Sequence, residues 1–287
     1  MEVIRSIDVM QQKTTELIKQ GKQIGFVPTM GFFHEGHISL MQRARSDNEI
    51  VITSVFVNPL QFGPNEDFEK YPRDEEKDSV TAEENGVDYL FIPDVSEMYP
   101  DKMLIDISIN DRVNVLCGRS RPGHFDGVIT VLTKLFNIVR PGKVYFGMKD
   151  AQQVAVAEAL IANLNFPIEL VGLPTAREED GLAKSSRNVY LNAKERSEAI
   201  WLSKALLNGQ KLVVDGENNP DIIVKEVIKT IKQHTAAKLD YAELLSYPEL
   251  RPVSVIKGQV ILAAAVHFAH ARLIDNLIFD GKGRLLK

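Results

Sequence analysis

The residues with the clearest chemical potential are His34-Glu35-Gly36-His37, which follow the apolar segment Ile24–Thr29. Helical spacing would place His34 and His37 on the same side of a helix entrance. Free backbone N–H groups at a helix N-terminus attract phosphate oxygens, and Gly36 allows the backbone to approach a ligand closely. The pattern predicts a site for a polyanion, most naturally a nucleoside triphosphate. Since four-residue patterns recur by chance, the prediction of a phosphate site depends on the strand and helix around the motif.

Two more polar segments follow predicted strands. In Gly147-Met148-Lys149-Asp150, we expect Lys149 to reach phosphate and Asp150 to N-cap the next helix. In Asn58–Gly63, the neutral amide of Gln61 suits recognition of hydroxyl and carboxylate groups, as does that of Gln153 on a helix. The alternative is that these glutamines satisfy backbone groups.

A further segment, Gly181–Asn188, combines a lysine, two serines and an arginine: Lys184, Ser185, Ser186 and Arg187. Such side chains hold phosphate through charge and through short N–H and O–H donors. A solvated polar linker has the same composition. Ligands of open α/β sheets bind beyond the carboxyl ends of the strands, where the turn Thr29-Met30-Gly31 would also lie. We therefore expect one crevice to collect these segments.

Apolar runs alternating with amphipathic helices predict a Rossmann-like, doubly wound parallel α/β sheet. The predicted strands are Ile24–Thr29, Ile50–Asn58, Tyr89–Pro93, Lys143–Gly147 and Ile168–Pro174. The predicted helices are His37–Asp47, Asp74–Asn85, Phe125–Val139 and Asp150–Asn165, with Val128, Leu132, Leu135 and Val139 forming a core stripe.

Beyond about Arg177 the sequence changes character, which predicts a second, smaller α+β domain. Helices are expected at Ala193–Val214 and Asp221–His234, and antiparallel strands at Leu239–Ser246, Gln259–Phe268 and Arg272–Phe279. A boundary near Ala176 gives a nucleotide- and substrate-binding domain over residues 1–176. Residues 177–287 would then form the domain that caps the active site.

Composition narrows the classes of function. The net charge of −5 disfavours a nucleic-acid surface, which would carry a basic face. A single cysteine, Cys117, excludes an internal disulfide framework and fits a reducing cytoplasm. We expect Cys117 to be a small packed residue, and we expect neither a signal peptide nor a membrane-spanning helix.

Several long collinear motifs, VPTMGFFHEGH, SVFVNPLQFGPNEDFEKYPRD, RPGHFDGV, YFGMKDAQQ and GLAKSSRN, resemble the pantothenate synthetase (pantoate–β-alanine ligase) family. This family belongs to the nucleotidylyltransferase-like group that has an HxGH signature. The resemblance implies an AMP-forming ligase of coenzyme A precursor synthesis. Pantoate and Mg-ATP would give pantoyl adenylate and pyrophosphate, and β-alanine would then give pantothenate and AMP. It also implies a cytoplasmic homodimer.

The resemblance also implies residue roles. Catalysis would involve His34, His37, Lys149, Ser185, Ser186 and Arg187, with His37 as the proton donor. ATP would contact Met30, Gly31, His34, Gly36, His37, Gly147, Met148, Lys149, Asp150, Ala176, Lys184, Ser185, Ser186 and Arg187. Pantoate and β-alanine would contact Thr29, Met30, Asn58, Gln61, Val131, Leu132 and Gln153. The acidic stretch Asp74–Asp78 could lie near magnesium, but Lys77 interrupts it. We expect Mg²⁺ on the ATP phosphates and no metal held by the protein.

Three alternatives remain open on the sequence alone. A nucleotidylyltransferase that adenylylates a phosphate-bearing acceptor would need a cationic acceptor pocket, whereas Gln61 and Gln153 are neutral. A fragment of an aminoacyl-tRNA synthetase fits poorly with the acidic net charge. A catalytically silent ATP-binding module would not need His34, His37 and Lys149 together.

Overall fold

The structure is a computed structural model that describes residues 1–64 and 66–286. Within this part, two units are distinguished. The first unit consists of the segments Met1–Asn110, Arg121–Gly147 and Val156–Leu173, and the second consists of Asp111–Ser120, Met148–Ala155 and the chain from Pro174 onward.

The strands are β1 (Glu2–Ile4), β2 (Ile24–Thr29), β3 (Ile50–Val55), β4 (Tyr89–Phe91), β5 (Lys143–Gly147), β6 (Glu169–Leu173), β7 (Lys238–Ser246), β8 (Val260–His267) and β9 (Arg272–Phe279). In the first unit, the described residues form a parallel sheet in the order β1-β4-β3-β2-β5-β6. The order reverses between β2 and β5, which is where ligands bind in doubly wound sheets. The predicted fold class is confirmed.

The helices are α1 (Ile7–Lys19), α2 (Glu35–Asp47), α3 (Glu75–Glu84), α4 (Val95–Met98), α5 (Leu116–Ser120), α6 (His124–Val139), α7 (Ala151–Asn163), α8 (Ala193–Val214) and α9 (Pro220–His234). Short 3-10 turns cover Pro59–Gln61, Met148–Asp150 and Ser186–Tyr190. The predicted apolar stripe of α6 is buried along its whole length. None of the helices within residues 1–64 and 66–286 has the length and apolar character needed to cross a membrane.

Two of the element bounds that differ from the prediction have a local cause. Strand β3 ends at Val55, three residues early, because the Asn58 side chain caps the 3-10 turn that Pro59 begins. Helix α2 begins at Glu35, two residues early, because the His34 side chain supplies the N-cap. The bounds predicted for β2, β5, β9 and α8 are those observed.

The second unit contains the antiparallel sheet β7-β8-β9, with α8 and α9 contributing apolar side chains to its core. Residues 111–120 join this unit because the sulfur of Cys117 lies 3.2 Å from the hydroxyl of Tyr241 and Arg119 pairs with Glu243 at 2.6 Å. The units therefore differ from the predicted division at Ala176, since two segments before that residue belong to the second unit.

Candidate active site

The two imidazoles of the His-x-Gly-His segment lie side by side at the N-terminus of α2, with ring centroids 4.2 Å apart. Nδ1 of His34 accepts a hydrogen bond from the N–H of Gly36 at 3.1 Å, and Nδ1 of His37 accepts one from the N–H of His34 at 3.3 Å. This is a reciprocal capping box built from histidines. Because each Nδ1 is an acceptor, the neutral rings carry their protons on Nε2. Both rings are therefore fixed as Nε2–H donors.

The turn that leads into α2 is held by a carboxylate from α3. Asp78 Oδ2 accepts from the N–H of Phe32 and Asp78 Oδ1 accepts from the N–H of Phe33, both at 2.7 Å. Burial raises the pKa of Asp78 above its ordinary value, and the two N–H groups offset only part of that increase. Thr29 adds a second brace, because its hydroxyl donates to the Ser54 carbonyl at 2.6 Å.

Two carboxylates of the acidic stretch Asp74–Asp78 make structural contacts. Asp74 accepts from the N–H of Lys77 as the N-cap of α3, and Asp78 braces the turn before α2. Over residues 1–64 and 66–286, no group of three or more His, Cys, Asp or Glu side chains could hold a metal ion.

The Gln61 amide lies in a buried polar cluster beside the same sheet edge. Its Nε2 donates to the sulfur of Met30 at 3.1 Å, and its Oε1 accepts from Asn58 Nδ2 at 3.2 Å. Asn58 also donates to the Gly127 carbonyl at 3.0 Å and accepts from the Tyr99 hydroxyl at 2.9 Å. Burial raises the pKa of Tyr99, so its hydroxyl keeps the proton that it donates. Asn58 therefore fixes the orientation of Gln61.

The structure brings together Met30, Asn58 and Gln61, three of the residues predicted to contact substrate. Val131 and Leu132 are buried in α6, with 6% and 3% of their surface exposed. On the sequence alone, the Gln61 amide could either recognise a substrate or bind backbone groups of the protein. Its hydrogen-bond partners are the side chains of Met30 and Asn58, which is consistent with the first role.

Arg121 and His124, which belong to the motif RPGHFDGV, hold the backbone of Gln61. His124 Nδ1 lies 2.8 Å from the backbone carbonyl of Gln61, and Arg121 Nη2 donates to the same oxygen at 3.2 Å. Arg121 Nε donates to Glu66 Oε1 at 2.7 Å. The backbone beneath the Gln61 amide is thus held by two cationic or polar side chains and one carboxylate.

Glu66→Gln is expected to lower stability by about 1–2 kcal/mol at pH 7, because it removes a charge-assisted partner of Arg121. Burial raises the pKa of Glu66, but Arg121 outweighs burial and holds that pKa below its ordinary value of 4.5. The unfolded state then binds more protons, so the stabilisation is present above pH 4.5 and is lost as pH falls through the folded-state pKa. Urea unfolding of both proteins from pH 7 to pH 3 should show the difference shrinking. A difference independent of pH would contradict this assignment.

Gly127→Ala is expected to displace the Pro59–Gln61 turn, since a Cβ at residue 127 would lie 2.2 Å from the Leu60 carbonyl oxygen and 2.6 Å from the Gln61 nitrogen. Overpacking of this kind costs about 1–3 kcal/mol. We expect a lower melting temperature and, because Gln61 is expected to contact substrate, a raised KM for that substrate. Gly258→Ala is the matched control, because a Cβ there meets nothing within 4 Å. Equal KM values for the two variants would contradict the expected substrate contact of Gln61.

In the second unit, the 3-10 turn Met148–Asp150 is fixed by Asn276. Its Nδ2 donates to the carbonyls of Met148 and Lys149 at 3.0 and 2.8 Å. Lys149 Nζ lies 3.8 Å from Asp150 Oδ2. Within residues 1–64 and 66–286, the Asp150 carboxylate accepts no backbone N–H, so the predicted N-cap is wrong. The 3-10 turn runs directly into α7, which places Asp150 inside the helical segment and not before it.

The lysine-serine-arginine segment is an ordered loop in the second unit. Lys184 Nζ lies 3.2 Å from Glu178 Oε2, and the Lys184 N–H donates to the Ala176 carbonyl at 2.9 Å. Ser185 caps the following 3-10 turn by accepting from the N–H of Arg187 at 3.3 Å. Ser186 is buried. These contacts argue against a solvated linker.

An ion pair between Arg177 and Asp275 supports the loop that contains Lys184 and Arg187. Arg177 donates from Nη1 and Nη2 to the two carboxylate oxygens of Asp275 at 2.7 and 3.0 Å, and Asp275 is 2% exposed. Arg177 also donates to the Gly181 carbonyl at 3.1 Å, where the backbone turns with φ of +93°. The sequence motif contains neither residue of this ion pair.

Adjacent glutamines on α7 have separate environments. Gln152 donates to the carbonyls of Arg112 and Val115 and accepts from the N–H of Cys117. Gln153 is half-buried, and its amide makes no hydrogen bond to any part of the chain that the structure describes. Gln152 therefore holds the backbone of residues 112–117, while the substrate contact expected of Gln153 stays a prediction.

A parallel sheet whose strand order reverses at its centre, with paired histidines at a helix entrance beside that point, is typical of nucleotide-binding α/β enzymes. The family model for pantoate–β-alanine ligase matches residues 2–278. The pantothenate synthetase of Geobacillus sp. (strain WCH70) is 58% identical over 280 residues, covering 98% of this chain and 99% of that relative. The chain therefore belongs to the pantoate–β-alanine ligase family.

Two solved structures of this family are similar to the chain over nearly its whole length. A crystal structure of pantothenate synthetase from Thermus thermophilus has a TM-score of 0.91 and 40% identity, covering 96% of this chain and 99% of that one. A pantoate–β-alanine ligase from Francisella tularensis, described as complexed with β-γ ATP and β-alanine, has a TM-score of 0.79 and 34% identity, with 98% of both chains covered.

Proposed function

We propose that this pantoate–β-alanine ligase family member makes pantothenate through a pantoyl adenylate. A pantoate carboxylate oxygen attacks the α-phosphorus of ATP, the bond from that phosphorus to the bridging oxygen breaks, and pyrophosphate leaves. The amine of β-alanine then attacks the acyl carbon, AMP leaves with the carboxylate oxygen, and the amine loses a proton. In-line displacement at phosphorus needs positioning and charge stabilisation, so no protein nucleophile is required.

The paired histidines carry this proposal. Two Nε2–H donors, set at a helix N-terminus, suit the negative charge that develops on the phosphates during the first step. The capping bonds fix both rings before the substrate arrives, so little reorganisation is needed. His37, the proton donor that the resemblance implies, would donate a hydrogen bond from its Nε2–H to the leaving pyrophosphate and keep that proton. The ATP-facing backbone would be that of Met30, Gly31 and Gly36.

Pantoate recognition is assigned to the neutral amides. In the first unit, Gln61 Nε2 donates to the sulfur of Met30, which is a weak acceptor. A carboxylate or hydroxyl oxygen would be a stronger partner for the same N–H. The Gln153 amide would make a second contact, and Thr29, Asn58, Val131 and Leu132 would complete the pocket for pantoate and β-alanine.

Positive charge for the triphosphate would come from the segments Gly147–Asp150 and Gly181–Asn188. Lys149 and the loop residues Lys184, Ser185, Ser186 and Arg187 would bind phosphate oxygens, with Asp150 on the ribose and the Ala176 backbone at adenine. Gly147 and Met148 would belong to the same turn. The ordered loop contacts described above support these roles, because they fix the backbone that carries the donors.

Magnesium enters this scheme as part of the substrate. Mg²⁺ prefers phosphate oxygens and water, so it would be held mainly by the phosphates of ATP. A homodimer and a cytoplasmic location stay predictions of the family resemblance.

The reaction products test the proposal. Purified protein, Mg-ATP, pantoate and β-alanine should give AMP, pyrophosphate and pantothenate in equal amounts, and omission of pantoate should abolish all three. Formation of ADP and phosphate would contradict adenylate chemistry. Silence with pantoate, together with pyrophosphate release when phosphopantetheine or nicotinamide mononucleotide is added, would assign the chain to the nucleotidylyltransferases.

A further inference from the structure

We propose that Asp78 is a positioning residue that sets the geometry of the His34–His37 pair through the backbone of the preceding turn. Asp78 comes from α3, far from the histidines in sequence, yet its two oxygens bind the N–H groups of Phe32 and Phe33 at 2.7 Å each. These are the two residues directly before His34. Asp78 itself is 1% exposed.

The turn needs such a brace because its backbone is strained. Phe32 has φ of +54°, a left-handed conformation that is unfavourable for a residue with a side chain. Gly31 before it has φ of +80°, and a Cβ there would lie 2.8 Å from Asp78 Oδ2. Hydrogen bonds from backbone N–H groups to a buried carboxylate are strong enough to hold this conformation.

A short chain of bonds joins the carboxylate to the imidazoles. Phe33 is held by Asp78, and the next residue, His34, donates its backbone N–H to Nδ1 of His37. His34 in turn accepts from Gly36 through its own Nδ1. A shift of the backbone at Phe33 therefore moves the His34 N–H that donates to His37 Nδ1. Displacements of about 1 Å cost up to about 100-fold in rate when they misplace catalytic groups.

Other roles for Asp78 fit the contacts less well. Both of its oxygens already bind backbone N–H groups, and it is shielded from solvent. Asp74 next to the same helix provides the contrast, since it caps α3 by accepting from the N–H of Lys77 and does not brace the turn.

The test compares Asp78→Asn with Asp74→Asn, which make the same charge change at the same helix. An asparagine side chain at position 78 can accept only one of the two N–H groups through its single oxygen, whereas asparagine remains a good N-cap at position 74. We expect D78N to lower kcat about 10- to 100-fold with the KM for β-alanine changed less than about two-fold. D74N should keep the kcat of the wild type. Melting temperatures above the assay temperature would show that both variants are folded in the assay.

A double-mutant cycle separates positioning from general damage. If Asp78 acts through His37, D78N should have little further effect on kcat in a His37→Ala background, so the two changes are not additive. Equal losses in both backgrounds, or no loss from D78N alone, would overturn the proposal. Should D78N fail to fold, Asp78→Glu keeps the charge and displaces it, and the same cycle applies. Failure of both variants to fold would assign Asp78 to stability alone.

This inference rests on the roles proposed for His34 and His37. The two can fail separately: a wild-type chain that does not form pantothenate would refute the proposed function, whereas an active D78N variant with wild-type kcat would refute only the role of Asp78.

Discussion

Replacing His37 with alanine is expected to lower kcat about 10²- to 10³-fold, or about 2.7–4 kcal/mol of transition-state stabilisation. The physical reason is the loss of an Nε2–H donor whose direction is fixed by the capping bond from the His34 N–H. The assay is the rate of pyrophosphate release at saturating ATP, pantoate and β-alanine. Since the effect falls on the transition state, KM values should change much less than kcat.

Alanine at position 37 also removes half of the capping box, so its structural effect needs a control. Glutamine at the third helical position can accept the N-cap N–H, as in capping boxes generally, and it restores the cap without an imidazole. We expect His37→Gln to have the melting temperature of the wild type and a kcat close to that of the alanine variant. Wild-type turnover in a folded alanine variant would remove His37 from the mechanism.

Asp275→Asn is expected to destabilise the second unit by about 3 kcal/mol, since removal of one partner leaves the Arg177 guanidinium without its buried counter-charge. For a chain of this size the melting temperature should fall by about 6–12 °C. Differential scanning calorimetry measures the change directly. The loop that contains Lys184 should also lose protection from proteolysis, because Arg177 braces its base.

The matched control is Asp280→Asn on the same unit. Asp280 pairs with Arg284 four residues away at the surface, where an ion pair contributes little. We expect its melting temperature to stay close to that of the wild type. Equal shifts for both variants would mean that the Arg177–Asp275 pair is no more important than a surface pair. Replacement of both members, as in Arg177→Met with Asp275→Leu, should recover much of the lost stability.

The sequence predicts the parallel sheet well because its strands are continuous apolar runs with clear ends. Ile24–Thr29 and Lys143–Gly147 have the predicted bounds, and both are interior strands of the sheet. The histidine pair can also be predicted, because both residues lie within four positions of each other at the start of one helix. Errors arise where a side chain decides the boundary, as His34 does for α2 and Asn58 for the turn after β3.

The missed parts of the site depend on residues distant in sequence. Asp78 meets the turn at Phe32 and Arg121 meets the Gln61 carbonyl, although neither spacing follows a helical or strand period. Asp275 supports the loop through Arg177 in the same way. Such contacts follow from how elements pack, which a single sequence does not specify. The proposed catalytic residues are therefore easier to predict than the residues that hold them.

The most direct test of the central claim follows an oxygen atom. Pantoate labelled with ¹⁸O in both carboxylate oxygens is converted with Mg-ATP and β-alanine, and the nucleotide and phosphate products are analysed by mass spectrometry. Attack of the carboxylate on the α-phosphorus predicts one ¹⁸O in each AMP formed, with the other retained in the amide carbonyl of pantothenate. Label in inorganic phosphate together with ADP, or AMP without label, would contradict the pantoyl adenylate.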